Sequence, residues 1–319
     1  MSDDMDRRKF LKTSVAASAG TAFGMGAASG AQAGQSSPVS AGTGKKGMPM
    51  GQIGDLKISR LISGGNLLGG WAHARDLNYV GQLMRHYNTE EKILDTFELM
   101  EQNGINTLVA YIAGKRSLMD LMERYWNERG GKMQWIAQGV AEVDDLESDI
   151  KWSVDHGASA MYMNGAMSER WLAEGRLDLL GKYVDCIKKQ GIPAGYGAHD
   201  LDAILAAESA GFDVDFYMKT LHRSDYWSFT PTREHNNVWS ETPQKTIDFM
   251  QDVGKPWIGF KVLAAGAIHP NKGFDYAFQN GADFICVGMF DWQVEQDARI
   301  AKRVFSKVAR AGRKRAWYA

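Results

Sequence analysis

The chain has 319 residues, 37 Lys and Arg against 38 Asp and Glu for a formal net charge of −1, and two cysteines. A balanced charge without a one-sided basic stretch gives no electrostatic footprint for nucleic acid, and that class is set aside. Cys186, on an expected helix, and Cys286, in an expected strand, fall on the fourth and eighth units of the pattern described below and are not expected to pair.

The chain opens with Arg7-Arg8-Lys9-Phe10-Leu11-Lys12, a weakly apolar run from Thr13 to Gly30, and Ala31-Gln32-Ala33. This is the order of a twin-arginine signal peptide, expected over 1–33: a basic n-region, an apolar h-region and a small-residue exit. The h-region is too short and too polar for a membrane helix. These residues predict engagement of the Tat translocon, a periplasmic or secreted location and no stable membrane anchor. Residues 34–54, rich in Gly, Ser and Pro, predict a flexible leader.

From residue 55 onward, short β-like runs alternate with longer amphipathic stretches. Strands are expected at Ile58–Gly64, Asn106–Tyr111, Gln134–Val140, Ala158–Asn164, Pro193–His199, Val214–Leu221, Trp257–Leu263 and Asp283–Gly288. The helix Thr89–Asn103 carries Glu90 and Glu91 at its start and is stopped by Gly104; the same punctuation recurs at Gly157, Gly191, Gly254 and Gly281. Eight such units predict a (β/α)8 TIM barrel over 55–319.

In such a barrel the active face lies at the C-terminal strand ends. Polar residues expected there include Asn66, Tyr111, Gln138, Glu142, Asn164, His199, Asp200, Lys219, His222, Lys261 and Asp291. Two long loops overhang them, Leu67–Asn88 with Trp71 and His73, and His222–Glu241 with Trp227 and Trp239. Aromatic faces beside amides suit a sugar-like ligand, with Asn66, Trp71, Gln138, His222, Trp227 and Trp239 as its expected contacts.

From Ala160 to Val304 the chain resembles the aldo/keto reductase superfamily, in family order. The segments are Met161-Tyr162-Met163-Asn164-Gly165, Ile187 to Asp200, Gly211 to Phe216, Gly259 to Gly266, and Val287-Gly288-Met289 followed by Gln293 to Asp297. The resemblance implies the barrel and, in family reductases, an Asp-Tyr-Lys-His tetrad that protonates a carbonyl while NADPH delivers hydride. Here Gln138 stands at the lysine's place, Asn164 at the histidine's, and Tyr111 only approximately at the tyrosine's. Gly197-Ala198 replace the Ser-Asn pair that grips the nicotinamide, and no basic residue lies between Gly288 and Gln293, the two positions left to hold a cofactor. Ordinary NADPH-dependent reduction is therefore not the expected chemistry. Asp291 is expected to cap the last helix.

Alternation in the sixth strand places Asp215, Tyr217 and Lys219 on one face, and in the seventh Trp257, Gly259, Lys261 and Leu263. With these polar sets turned into the barrel, Lys219 and Lys261 become neighbours, and one amine is neutral enough to attack a carbonyl. The two strands also faintly resemble the lysine motifs of class I deoxyribose-phosphate-type aldolases. His199 and His222, with Glu142 or Asp200, form a third constellation able to hold a divalent metal such as zinc. The candidate catalytic set is Lys219, Lys261, Tyr111, Asn164 and His199. The expected function is an exported barrel enzyme acting on a small polar carbonyl or sugar-derived compound. The alternatives are a non-catalytic carbohydrate binder and a residual NAD(P)H-dependent oxidoreductase.

Overall fold

The computed structural model describes residues 47–111, 118–230 and 240–319. The signal segment 1–33, the leader up to residue 46, and Trp239 lie outside the described residues. No helix among the described residues is long and apolar enough to cross a membrane.

Two strands, β1 (Met50–Ile53) and β2 (Leu56–Ser59), form an antiparallel hairpin. Its two-residue loop is Gly54-Asp55, and Gly54 takes φ 54°, a left-handed conformation natural to glycine in tight hairpins. Eight further strands close into a parallel barrel: β3 (Leu61–Gly64), β4 (Thr107–Tyr111), β5 (Gln134–Gly139), β6 (Ala160–Met163), β7 (Ala194–Ala198), β8 (Phe216–Thr220), β9 (Trp257–Phe260) and β10 (Phe284–Gly288). β10 returns to pair with β3. The helices are α1 (Val80–Tyr87), α2 (Glu90–Gln102), α3 (Leu118–Arg129), α4 (Ser148–Asp155), α5 (Gly165–Ala173), α6 (Leu177–Lys188), α7 (Leu201–Ser209), α8 (Pro243–Met250), α9 (Pro270–Gln279) and α10 (Asp291–Ala311). The (β/α)8 TIM barrel is thus the fold of the chain. The Thr89 hydroxyl accepts from Lys92 N at 3.3 Å to start α2, and Gly104 at φ 83° ends it.

Three expectations for the first part of the domain are corrected. The leader does not run to Gly54: Met50–Ile53 is a strand, and Ile53 is buried with Ile58 in the cluster inside the barrel, closing its N-terminal end. The single strand expected over Ile58–Gly64 is broken at Arg60. That side chain turns beneath the barrel, donates to Met50 O, Asp283 O and Ala319 O, and sits 5.0–5.1 Å from the rings of Phe284, Phe305 and Trp317. The loop expected over Leu67–Asn88 also contains α1.

Two apolar layers hold the molecule. The inner one fills the barrel with Ile62, Val109, Ile136, Ala160, Tyr162, Phe216, Met218, Ile258 and Phe284. The outer one packs the opposite strand faces, including Leu108, Trp135, Met161, Tyr196, Tyr217 and Trp257, against the helices.

Candidate active site at the barrel mouth

The inner cluster fixes which side chains face the barrel axis. Val109 and Ile136 face inward, so two residues on, Tyr111 and Gln138 do too. Tyr111 pairs in register with Gln138, and Gln138 with Tyr162, which places one polar row across β4, β5 and β6 above the apolar floor. The row ends on β7 at glycine, since Tyr162 pairs with Gly195.

The same parity overturns the expected orientation of β8. Phe216 and Met218 face inward, whereas Tyr217 and Lys219 face the helices. Asp215 ties α6 to β7 by accepting from Lys188 at 2.9 Å and from Ala194 N at 2.7 Å. Lys219 is buried, and its Nζ runs to the strand end to donate to His199 O at 2.6 Å, Thr220 Oγ1 at 2.9 Å and Thr220 O at 3.3 Å. Burial pulls its pKa down to about 7, with Asp200 and Glu169 opposing. An ammonium so enclosed is a structural cross-link between β7 and β8, and the expected inward lysine pair does not form.

Lys261 is differently placed. It follows β9 in a left-handed conformation, φ 56°, and Ala264 and Ala265 share that sign at 45° and 54°. Non-glycine residues pay for such backbone with strain, which concentrates at functional turns. The turn takes Lys261 out of the helix-facing parity of Gly259 and brings it within electrostatic reach of His73, His222 and Glu169. Burial lowers its pKa to about 7.

Beside it stands a pair the sequence did not announce. Glu169, on α5, accepts from His199 N at 2.5 Å and Asp200 N at 2.7 Å, and its other oxygen lies 3.3 Å from His199 Nδ1. Burial pushes the Glu169 carboxyl up, but the hydrogen bonds and the neighbouring imidazole hold it below its ordinary value. The carboxylate fixes the imidazole ring, the arrangement by which a histidine is oriented for proton transfer. The His199 ring is 5.4 Å from that of Phe260, the residue before Lys261. His73 is depressed to about 4 by burial, then by Lys261 and His199, so all three share one site. Glu169 lies five residues beyond Asn164, on a helix that shows only a mixed polar pattern in sequence, and its role becomes visible only when β6 and β7 are neighbours.

The remaining expected residues divide. Asn164 is half-buried at the mouth, but its Oδ1 caps α5 by accepting from Ala166 N and Met167 N at 2.8 and 3.3 Å. Trp71, 53 % exposed, meets Tyr111 edge to face at 5.9 Å and forms one rim wall; Asn66 touches His73 at 3.0 Å. Trp227 is 96 % exposed among the described residues. His222 is wholly buried and both its nitrogens are engaged, Nδ1 with Arg223 O at 3.0 Å and Nε2 with Ser240 N at 3.1 Å, so it cannot present a lone pair to a metal or a substrate. Burial drives its pKa to about 4. Glu142 is exposed in a turn with Asp145. The expected His199, His222 and Glu142 metal set is therefore not assembled, and no three His, Cys, Asp or Glu converge on a metal position among the described residues.

The positions left for a dinucleotide do not fit one. Gln293 Oε1 accepts from Phe290 N at 3.0 Å and so caps α10. A side chain at Gly288 would meet Leu67 at 3.0 Å, which makes Gly288 a packing position. Phe290, not Asp291, precedes the helix, and Asp291 binds Tyr87 at 2.7 Å and Lys92 at 3.0 Å in its first turn. A carboxylate at that helix start opposes a phosphate.

No protein-family profile and no curated protein sequence matches the chain. Solved structures do. A structure described as "Putative aldo-keto reductase from Pseudomona aeruginosa" superposes with TM-score 0.57 at 16 % identity, covering 82 % of this chain and 95 % of that one. A second structure, described as "the putative aldo-keto reductase from Pseudomona aeruginosa", gives 0.57 at 14 %, covering 80 % and 95 %. Gox0644 in its apo form gives 0.55 at 8 %, covering 82 % and 94 %. The chain shares the barrel fold of aldo-keto reductases. At these identities the likeness is one of fold, and the chemistry must come from the site.

Proposed function

We propose that the protein is an exported barrel enzyme acting on a small polar carbonyl or sugar-derived compound, with Lys261 engaging the carbonyl and His199, oriented by Glu169, moving the proton. The observation that carries this reading is the meeting of a carboxylate-held histidine and a desolvated lysine at one end of a barrel. The Lys261 amine adds to the carbonyl carbon, the carbonyl oxygen leaves as water, and the iminium acidifies the adjacent C–H, whose proton His199 accepts. Neither Gln138 nor Asn164 can do the work of the lysine and histidine of a family reductase, so no hydride step is invoked.

The test is borohydride trapping with dihydroxyacetone and D-glyceraldehyde, read by intact mass and peptide mapping. The expected adduct sits on Lys261, disappears in Lys261→Met, and forms faster as pH rises through 7, where the amine loses its proton. An adduct that survives Lys261→Met, or maps to Lys219, sinks the assignment. Reversible sugar binding with no adduct would favour the non-catalytic binder, a reading supported by the exposed Trp71 face above Tyr111. Export is tested separately: Arg7→Lys with Arg8→Lys is expected to leave the protein in the cytoplasm.

A further inference from the structure

Inside the barrel lies a polar group that the reaction above does not use. Tyr162 is 5 % exposed and belongs to the inner apolar cluster, yet its hydroxyl makes no hydrogen bond among the described residues. The hydroxyl is not one of the buried side-chain atoms left without a partner, so it is reached by solvent and sits at the edge of the cluster rather than sealed within it. A residue that only fills the floor would be better served by phenylalanine, as at Phe216 and Phe284.

Its direction follows from the glycines on the next strand. A Cβ added at Gly195 would lie 2.7 Å from Tyr162 Cβ, and one added at Gly197 would lie 3.0 Å from Tyr162 Cδ2 and Cε2. The side chain therefore begins level with Gly195 and its ring passes Gly197, climbing toward the C-terminal end of the barrel. The next inward position on β7 after Gly195 and Gly197 is His199. A Cβ at 197 would also press on Met163 O, at 2.4 Å, and one at 195 on the Phe216 ring, at 2.3 Å, so the two glycines make room for the Tyr162 and Phe216 rings and the neighbouring strand together. From across the barrel, Cys286 on β10 lies within electrostatic reach of the hydroxyl, which places it near the barrel axis. Burial, then Cys286, raises the phenol well above its ordinary pKa, so it stays protonated and acts as a donor.

We propose that Tyr162 is a further catalytic residue, whose hydroxyl rises from the barrel floor to donate a hydrogen bond to the oxygen of the substrate carbonyl as Lys261 attacks. It rests on the reading that the mouth receives a carbonyl. The balance is simple. As the amine nitrogen bonds to carbon, the C=O pair moves onto oxygen, and Tyr162 stabilises that charge while keeping its own proton. The attacking nitrogen passes one proton to that oxygen and an acid in the solvent supplies the second, so that it departs as water and leaves the iminium. A preorganised donor aimed where charge develops commonly contributes about 10²- to 10³-fold in rate.

The experiment compares wild type with Tyr162→Phe, which removes only an unbonded oxygen and so should keep its melting temperature. The rate of borohydride-trapped adduct on Lys261 with dihydroxyacetone is expected to fall about 10²-fold, with little change in half-saturating concentration. An unchanged rate overturns the proposal. To separate this from failure of the lysine chemistry, the protein is labelled with 3-fluorotyrosine and the Tyr162 resonance is assigned from its loss in Tyr162→Phe. That signal is expected to shift on adding dihydroxyacetone, D-glyceraldehyde or D-glucose. If it shifts and Lys261 traps nothing, Tyr162 stands and the amine step falls. If no probe moves it, the Tyr162 assignment falls whatever Lys261 does.

Discussion

The two ends of this barrel use the same charged residue types to opposite ends. At the base, Asp283 is wholly buried and accepts from Arg313 and Arg315 at 2.7 Å each, from Trp257 N at 2.9 Å and from Tyr318 N at 3.2 Å. Arg315 donates in addition to the carbonyls of Met250, Val253, Lys255 and Gly281. The backbone there is relaxed: every non-glycine residue with positive φ among the described residues, Arg75, Lys261, Ala264 and Ala265, follows β3 or β9 at the mouth. At the mouth, Tyr111, Gln138 and Tyr162 face the axis without side-chain hydrogen bonds among the described residues, and Lys261 is desolvated on a strained turn. Polar side chains bonded within the protein stabilise it, and Tyr111, Gln138 and Tyr162 add no such bond.

That contrast predicts its own largest effect at the base. Asp283→Ala strands two buried guanidinium groups and is expected to cost about 3–5 kcal/mol in urea denaturation, the usual consequence of breaking a buried ion pair from one side. Lys261→Met is expected to change stability by less than about 1 kcal/mol while abolishing the trapped adduct. Equal losses from the two variants would erase the distinction between the ends.

How far the sequence shows this division depends on the length scale. The eight units were legible because helix stops such as Gly104 and strand runs such as Gln134–Gly139 are local signals. Facing was not. Turning Lys219 inward assumed that a polar face seeks the barrel axis, but the lower interior is filled by Phe216, Met218 and Ile258, and a long lysine can reach polar oxygens at the strand end from the other face. Lys261 lies in the site through a left-handed turn that alternation cannot foresee. Glu169 and His199 are thirty residues apart in sequence and adjacent only once β6 and β7 pair.

The next effect sharpens the comparison by pH. His222 is neutral when folded, with its pKa near 4 against an ordinary 6.5. Between those values the unfolded chain binds more protons, so stability is full above about pH 6.5 and is lost as pH falls to 4, by about 3 kcal/mol from this group. His73, depressed for the same first reason, adds in the same direction. Urea titrations at pH 7 and pH 4 should show the loss, and His222→Gln should be weaker at pH 7 with a shallower fall. A parallel curve for that variant would mean that His222 is not the titrating group.

Asp297 tests the rule in the other direction, because it is a buried carboxylate outside the mouth whose Oδ2 finds no hydrogen bond. Burial raises its pKa to about 6 against 3.8. The folded protein prefers it protonated, so its ionisation is destabilising above pH 6 and costs nothing below about 3.8. Asp297→Leu is expected to raise the melting temperature at pH 8 and to do so less at pH 4. A gain of equal size at both would assign the effect to packing.

The smallest expected effect on stability belongs to Trp71, and it measures how far the site extends. An indole 53 % exposed, held only edge-on to Tyr111, should cost within about 0.5 kcal/mol when replaced by alanine. On the proposed chemistry, a three-carbon carbonyl held at Lys261 is not expected to reach the rim, whereas a longer sugar would lay a ring face on Trp71. Stacking of that kind contributes on the order of 0.5–1.5 kcal/mol. Trp71→Ala should therefore raise the half-saturating concentration for trapping with D-xylose several-fold and leave that for dihydroxyacetone unchanged. Equal shifts for both would confine the ligand to the floor and make the aromatic rim a wall that excludes water.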